Sequence, residues 1–314
     1  MTEDRRVVPL IPTAVIAACI AVFSIVGSAR AAVNGKIAFS TDQSVASQIF
    51  TVNPNGSGET QITNPADGNA FAPDWSPGGS TMIFSGDQSG TQQIYEMDAN
   101  GSNRHLLLND PGSNDINPRF SPDASMIAFS RCSATCVIYT VKSDGTGPLT
   151  PLTSATWNSF DPVWSPDGAR IAFDSNQDGL LSAVWVMNAD GTDQQRLTAP
   201  ALEASYPDWS PDGAHILFQD LCCQFGTNIW VMNADGTGQK QLTHIRTKHQ
   251  DGFASYSPDG KKIVLIADLA YPVNTPAADL YTMDANGTHL TKIMGDQPGV
   301  FFSDWGTAPY PGPS

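Results

Sequence analysis

The feature that most constrains this chain is a phrase that recurs along its whole length. The copies are FAPDWSPGGSTMIF (71–84), INPRFSPDASMIAF (116–129), FDPVWSPDGARIAF (160–173), SYPDWSPDGAHILF (205–218) and FASYSPDGKKIVL (253–265). The shared aromatic is separated from the next by 45, 44, 45, 47 and 49 residues, at Trp75, Phe120, Trp164, Trp209, Tyr256 and Trp305. This period is typical of the blades of a β-propeller.

Each repeat predicts four short strands, named A to D. Strand A ends at the aromatic, Ser-Pro-Asp-Gly turns the chain, and strand B follows, as in Ile171-Ala172-Phe173. Strand C is an Ile-Tyr/Trp-x-Met run, and a hairpin turn leads to strand D. Strand B is apolar on both faces, which suits a strand between two neighbouring sheets. Because no single repeat buries both faces, the repeats are expected to stack in a ring.

The two ends of the repeat region predict how the ring closes. Residues 35–40 read as a strand B without a strand A before it, and residues 301–305 read as a strand A with nothing after it. Together they complete one blade, so that no long sheet edge stays exposed. The sequence therefore predicts an all-β, six-bladed propeller of four-stranded antiparallel blades over residues 33–309, closed by the N-terminal strands plus the C-terminal strand.

The repeated phrase also carries a family resemblance. PDWSPDG, followed by IAF, IWVMNADGT and LT, resembles the repeats of the TolB-type β-propellers over about residues 33–309. The resemblance implies a periplasmic protein that contacts other envelope proteins through its propeller. TolB has an additional N-terminal α/β domain for which this chain has no room, so the resemblance covers the propeller only.

The first 31 residues have the composition of an export signal. Arg5 and Arg6 precede an apolar run over residues 7–27, and Ala29-Arg30-Ala31 supplies a small-residue cleavage site. We expect a signal peptide over residues 1–31, with an uncleaved membrane anchor as the alternative. Residues 310–314 form a short Pro/Gly tail. The protein is therefore expected in the periplasm or cell envelope.

The charge of the chain restricts its partners. With 16 Lys and Arg against 31 Asp and Glu, the net charge is −15. Nucleic acids and anionic membranes attract positive surfaces, so neither is an expected partner, and a membrane is expected only through an uncleaved N-terminal segment. The expected partners are other envelope proteins or peptide segments, and a monomer is expected.

The loops predict which face of the ring binds. The A–B and C–D turns are nearly uniform, whereas the B–C and D–A loops, which surround one mouth of the channel, differ between blades. Because loops on a rigid scaffold carry binding, the channel mouth is the candidate site. Counting back six residues from each aromatic gives a mainly polar set, predicted to surround the channel: Asn69, Asn114, Asn158, Glu203, Gln250 and Gly299. The structural alternative is a ring of strand entries solvated by channel water.

One D–A loop concentrates further candidates. It contains the site candidates His244, Arg246, Lys248, His249 and Asp251, and Arg246 and Lys248 offer a local positive spot for a partner. Metal binding by His244 and His249 with Asp251 is the alternative for this loop, and a solvated loop is the structural one. The Asp-Gly turns lack the ligand spacing of calcium loops, so no cofactor is expected, and a divalent cation in the channel has no motif behind it.

The cysteines of the exported part lie in two B–C loops. Cys132 and Cys136 stand at the ends of one predicted hairpin, where the strands are close enough for a disulfide in an oxidising compartment. The adjacent Cys222 and Cys223 would strain the peptide between them if they were bridged, and their state stays open.

The motifs favour a binding protein over an enzyme. G-x-S-x-G, H-E-x-x-H, the Walker A loop and the dinucleotide fingerprint are all missing from the sequence. We therefore expect an exported non-enzymatic scaffold for protein–protein interaction that binds through the channel mouth. The alternatives are a glycan-active lyase or hydrolase with a metal-assisted site at the mouth, and an adaptor whose partner binds the outer edge of a blade.

Overall fold

The computed structural model describes residues 33–41, 46–179, 181–199, 202–220, 227–244, 252–267, 279–295 and 299–307. Within these ranges the chain forms six four-stranded antiparallel sheets, and the one helix among them is a 3₁₀ turn at Pro65–Asp67. The predicted segments 1–31 and 310–314 lie outside the described residues. No helix in the described part of the chain has the length and apolar composition needed to cross a membrane.

The strands follow one another from the channel outwards in each blade. The first blade contains β1 (Asn34–Thr41), β2 (Gln48–Val52), β3 (Thr60–Gln61) and, as its innermost strand, β24 (Val300–Thr307). Blades 2 and 3 contain β4 (Ala70–Trp75), β5 (Thr81–Gly86), β6 (Gln93–Asp98), β7 (His105–Leu106), β8 (Asn114–Phe120), β9 (Met126–Cys132), β10 (Cys136–Lys142) and β11 (Thr150–Pro151).

The remaining three blades repeat the same order of strands. Blades 4 and 5 contain β12 (Ser159–Trp164), β13 (Arg170–Ser175), β14 (Ala183–Asn188), β15 (Gln195–Arg196), β16 (Ala204–Trp209), β17 (His215–Asp220), β18 (Asn228–Asn233) and β19 (Lys240–Gln241). Blade 6 contains β20 (Gly252–Tyr256), β21 (Lys262–Ala267), β22 (Asp279–Asp284) and β23 (Thr291–Met294).

The ring closes where the sequence predicts. Strand β1 pairs antiparallel with β24, placing Ile37 opposite Trp305 and Thr41 opposite Val300. Each innermost strand contacts the innermost strand of the next blade, from β4 through β8, β12, β16 and β20 to β24, which contacts β4. The predicted six-bladed propeller, closed by strands from both ends of the repeat region, is thus confirmed.

The core lies between the blades. The second strand of each blade is buried on both faces, and its largest apolar side chain is at most 1% exposed at Phe39, Phe84, Phe129, Phe173, Phe218 and Leu265. Six apolar clusters each join one blade to the next, including a cluster of Ile37, Phe39 and Trp305 with Val264 and Leu280 across the closure. Full burial of one such side chain contributes about 1.5–3 kcal/mol. The ring is therefore stabilised blade against blade.

The Ser-Pro-Asp-Gly phrase forms the corner between the first and second strands. In blade 4 the Ser165 N–H donates to the Arg170 carbonyl at 2.8 Å, and the Gly168 N–H donates to the Ser165 carbonyl at 2.8 Å. The Ser165 hydroxyl donates to Asp167 Oδ1 at 2.6 Å, and Gly168 has φ +70°. The phrase recurs because five blades need this corner, whereas in the first blade the first two strands come from opposite ends of the repeat region.

The stability of the closed ring should depend on Trp305, which is 4% exposed and packs where the first and last blades meet. We expect Trp305→Ala to lower the free energy of unfolding by about 3–5 kcal/mol, because it removes contacts between the first and last blades and leaves a cavity. Denaturant titration followed by circular dichroism measures this change. Trp157, 38% exposed, is the control, and Trp157→Ala should lower the value by clearly less than Trp305→Ala does. Equal effects at the two sites would contradict the closure argument.

A candidate binding site in the central channel

The innermost strand of every blade bulges at the same point. In blade 4 the pairing shifts between Phe160 and Val163, so that Asp161 and Pro162 have no partner on β13. The residue three before the shared aromatic has φ between 49° and 53° in all six blades: Ala72, Asn117, Asp161, Tyr206, Phe253 and Phe302. None of these residues is glycine, so the left-handed conformation is strained at each of them. We call this set the bulge ring.

A second ring lies below the bulge ring, one residue before the shared aromatic. It consists of Asp74, Arg119, Val163, Asp208, Ser255 and Asp304, and we call it the lower ring. Residues from all six innermost strands line one pocket, the channel pocket: Ala72, Asn117, Arg119, Asp161, Tyr206, Pro207, Asp208, Phe253, Ala254, Phe302 and Ser303. The bulge ring is closer to the start of each innermost strand, and hence to the mouth formed by the B–C and D–A loops.

One half of the bulge ring is an aromatic wall. Tyr206, Phe253 and Phe302 come from three consecutive blades. The ring centroid of Phe253 lies 4.5 Å from those of both Tyr206 and Phe302, and the Tyr206 and Phe302 centroids are 6.1 Å apart. Edge-on and tilted contacts of this kind hold aromatic faces in fixed directions. The pocket therefore has one rigid apolar side.

The other half of the bulge ring contains a carboxyl group that shares a proton with a neighbouring one. Burial, followed by the charge of Asp174, raises the pKa of Asp161 well above its usual range. Asp161 therefore donates to Asp174, which also accepts from the Ser182 hydroxyl at 3.0 Å and from the Tyr206 N–H at 3.4 Å. The Asn117 amide donates to an oxygen of Asp161. The two carboxyl groups therefore oppose each other's ionisation.

The lower ring binds the blades together and holds the charge of Arg119. Arg119 Nη1 lies 3.0 Å from Asp74 Oδ1 and 3.8 Å from Asp304 Oδ1. The carboxylates of this ring also accept main-chain N–H groups of the next blade: Asp74 from Phe120 at 2.8 Å, Asp208 from Tyr256 at 2.8 Å and Asp304 from Trp75 at 3.0 Å. These acids thus fix neighbouring innermost strands in register.

The lower ring contains more carboxyl groups than cations. Burial raises the pKa of Asp74 to about 7 although Arg119 opposes this, and burial raises the pKa of Asp208 to about 7 as well. Burial also raises the pKa of Asp304. One guanidinium does not compensate the buried carboxylate of Asp74 and the half-buried ones of Asp208 and Asp304, so part of their charge is removed by protonation.

The channel pocket is narrow. The centre of a water molecule can reach about 30 Å³ of it. One water centre needs roughly 10–15 Å³, so the pocket holds about two waters or the tip of one side chain. A sugar ring does not fit at this depth and would have to lie at the mouth.

Three of the predicted mouth residues bond main-chain atoms of the preceding blade. Oδ1 of Asn69 accepts the Ser47 N–H at 2.7 Å, and Oδ1 of Asn114 accepts the Gln92 N–H at 3.0 Å. Oδ1 of Asn158 accepts the Cys136 N–H at 2.9 Å. These amides join one blade, at the start of its third strand, to the first strand of the next. Their part in ligand binding stays a prediction.

The other predicted site residues fall at loop positions. Glu203 is half-buried just before β16, and His244 is exposed just after β19. The structure brings neither into the channel pocket, and their role also stays a prediction. The remaining predicted residues lie outside the described part of the chain: Gln250, Arg246, Lys248, His249 and Asp251.

The cysteine pair of blade 3 closes its B–C loop. Cys132 and Cys136 form a disulfide with Cα atoms 4.0 Å apart, where β9 and β10 pair. Cys222 and Cys223 lie outside the described residues. Across the described ranges, no group of three or more His, Cys, Asp or Glu side chains is placed to hold a metal ion.

Sequence reasoning missed both rings that line the pocket. The bulge position reads Ala, Asn, Asp, Tyr, Phe and Phe in the six blades, while an aromatic follows three residues later in all six and is followed by Ser-Pro in five. A position that varies inside a nearly uniform phrase is one that the scaffold does not dictate. This variation was the available signal, but the bulge that directs these side chains into the channel comes from strand pairing.

Solved structures share this fold. The structure is similar to the crystal structure of TolB from Acinetobacter baumannii, with a TM-score of 0.74 and 18% identity over 86% of this chain and 66% of that one. It is similar to a putative TolB from Agrobacterium tumefaciens, with a TM-score of 0.68 and 21% identity over 88% and 99% of the two chains. This chain thus spans about two thirds of the first protein and nearly all of the second. The fold is a TolB-type β-propeller.

An enzyme has a similar propeller. An oligogalacturonate lyase in complex with manganese gives a TM-score of 0.58 and 16% identity over 83% of this chain and 74% of the lyase. No protein-family model and no curated protein sequence matches this chain. At such identities the similarity concerns the fold, which hosts both binding proteins and enzymes.

The raised pKa values predict how stability depends on pH. Asp74 and Asp208 have pKa values of about 7 in the folded protein against 3.8 for the unconstrained group, so the folded state binds more protons between these values. Their contribution to stability is complete below pH 3.8 and is lost as the pH rises through about 7. We expect the melting temperature to fall less between pH about 5 and about 8 in Asp208→Asn than in wild type, as circular dichroism would show.

The matched control is Asp212→Asn, because this exposed turn carboxylate has a lowered pKa and titrates below that interval. Its pH dependence between about 5 and 8 should run parallel to that of wild type. In Asp208→Asn the amide oxygen of the new side chain can still accept the Tyr256 N–H, so the variant keeps the bond between blades. If the melting temperature of Asp208→Asn depends on pH in the same way as that of wild type, this result would contradict the raised pKa of Asp208.

Proposed function

We propose that this chain, which has the TolB-type propeller fold, is an exported non-enzymatic scaffold that binds an envelope protein, or a peptide segment of one, at the channel mouth. The observation that carries the proposal is the bulge ring: six strained, non-glycine residues that differ from blade to blade within an otherwise uniform scaffold. Strain retained at such positions is typical of functional sites. The repeated residues build the ring, and the varied ones are free to recognise a ligand.

The size of the pocket and the surface around it favour a peptide. The pocket admits the tip of a side chain, while the loops of the mouth face provide the larger contact area that a protein partner needs. Trp157 and Leu181, 38% and 46% exposed, lie in adjacent loops of this face. The two loops lie close together, since a side-chain Cβ at Gly179 of the second loop would be 3.6 Å from the Trp157 ring. Exposed aromatic and aliphatic side chains of this kind are common anchors of protein interfaces.

The proposal of export has two supports. The first 31 residues have the order of charged, apolar and small-residue regions of a signal peptide. The Cys132–Cys136 disulfide suits an oxidising compartment such as the periplasm. We propose a periplasmic or envelope location on this basis.

A metal-assisted glycan lyase is the second candidate. The similarity to an oligogalacturonate lyase in complex with manganese favours it. The substrate would lie at the mouth, above the narrow pocket. Cleavage of oligogalacturonate by the purified protein with Mn²⁺, measured as unsaturated product, would favour this candidate over the scaffold.

Site-specific cross-linking in the cell tests the scaffold. We expect a photoreactive residue at position 157 or 181, on the mouth face, to cross-link one defined envelope protein, identified by mass spectrometry. The same residue at position 190 or 235 is the matched control, because these positions lie in turns of the opposite face. Cross-links that form only from the control positions would contradict binding at the mouth.

Export predicts the start of the mature protein. We expect protein recovered from the periplasmic fraction to begin at Ala32, as its intact mass would show, because cleavage follows the small residue Ala31. If the protein is instead recovered from the membrane fraction with an intact mass that includes residues 1–31, the result would support the uncleaved anchor.

A further inference from the structure

The channel pocket has the chemistry of a site for a cation. Asp161 and Asp208 line it together with the aromatic wall of Tyr206, Phe253 and Phe302. Arg119, the cation among the described lining residues, is already engaged by Asp74 and Asp304. The pocket thus presents acceptors and aromatic rings, while its guanidinium is paired with carboxylates.

Aromatic faces and carboxylates together select organic cations. The negative face of an aromatic ring attracts an ammonium, and this attraction grows when the site is desolvated. A carboxylate at hydrogen-bond distance adds a charge-assisted bond. An anion would face the excess carboxylates, and a neutral group would leave their charge uncompensated. An ammonium group, with three N–H donors, has about the size of a water molecule and fits the 30 Å³ that water centres can reach.

We propose that the channel pocket binds a primary ammonium group of the partner, either a lysine side chain or a chain amino terminus. Its methylene stem would contact Phe253 and Phe302, and its N–H groups would donate to Asp161, Asp208 and the Tyr206 hydroxyl. This inference rests on the proposed function, because the ammonium is supplied by the partner that binds at the mouth.

Binding of an ammonium is coupled to the protons of the channel. The charged and titratable groups that surround the site are Asp74, Arg119, Asp161, Asp174, Tyr206, Asp208, Tyr256 and Asp304. A cation favours ionised carboxylates, so Asp74 and Asp208, with pKa values of about 7, release protons when it binds. Affinity therefore rises between pH about 6 and about 8.

The test uses small probes on the purified protein. Saturation-transfer NMR compares n-butylammonium with n-butanol, which has a similar shape but no charge. We expect butylammonium to bind at least about tenfold more tightly, and its affinity to increase with pH. Acetylated peptides with one lysine, peptides with a free amino terminus and no lysine, and peptides with neither distinguish the two sources of the ammonium.

Substitutions of pocket residues test whether butylammonium binds in the channel pocket. Asp208→Asn removes the charge of a carboxyl group that lines the pocket and keeps an acceptor for the Tyr256 N–H, and Phe253→Leu removes an aromatic ring but keeps an apolar side chain. We expect each to weaken butylammonium binding about fivefold to tenfold. Asp212→Asn is the matched control, since Asp212 lies in the exposed corner of the blade that contains Asp208, and should leave binding unchanged. The comparison of butylammonium with butanol on wild type holds even if a variant fails to fold.

Two results would overturn the ammonium site. One is equal binding of butylammonium and butanol, and the other is displacement of butylammonium by Ca²⁺ or Mn²⁺ at lower concentration, which would indicate a metal site instead. Cross-links from positions 157 or 181 without selective butylammonium binding would refute this inference and leave the proposed function standing. Selective butylammonium binding together with cross-links only from positions 190 or 235 would support the ammonium site and contradict binding of the partner at the mouth.

Discussion

The double-sided burial of the second strand of each blade is the constraint on which the rest of the structure depends. Phe84 and Phe173 belong to the core between blades and are fully buried, whereas a lone sheet would leave both of its faces in water. Only neighbours on both sides satisfy such a strand, so the repeats stack until the last blade meets the first. The pairing of β1 with β24 completes this arrangement and joins the two ends of the repeat region in one sheet.

The closed ring permits the strain found at its centre. Each innermost strand is held by its own sheet, and carboxylates such as Asp208, which accepts the Tyr256 N–H, bond it to the next blade. This support allows Tyr206 and Phe253 to keep positive φ values, which an isolated strand would relax. The strain in turn fixes the direction of side chains that the repeats do not share. The repeated residues therefore make the ring rigid, and this rigidity allows different side chains to occupy the bulge ring in each blade.

The charge of the channel carboxyl groups lowers the stability of the fold, and the same charge would favour binding of a cation. Asp74, Asp208 and Asp304 join neighbouring blades through main-chain bonds, yet their burial near one another opposes ionisation. Arg119 relieves only part of this cost. A cation from outside would relieve the remainder, which makes the pocket complementary to an ammonium. Binding and protonation then compete for the same carboxylates.

The sequence by itself determined the number of blades, their strand order, the corner turns and the closure, because these follow from local periodicity and from Gly, Pro and Asp at fixed spacing. It also indicated Cys132 and Cys136 as neighbours. The tertiary structure decided which varied residues reach the channel. Asn69 and Asn158, chosen by counting, bond main-chain atoms of the adjacent blade, whereas Asp161 and Tyr206 line the pocket. A bulge shifts the direction of a side chain, and it arises from pairing and from contact between blades that no single repeat contains.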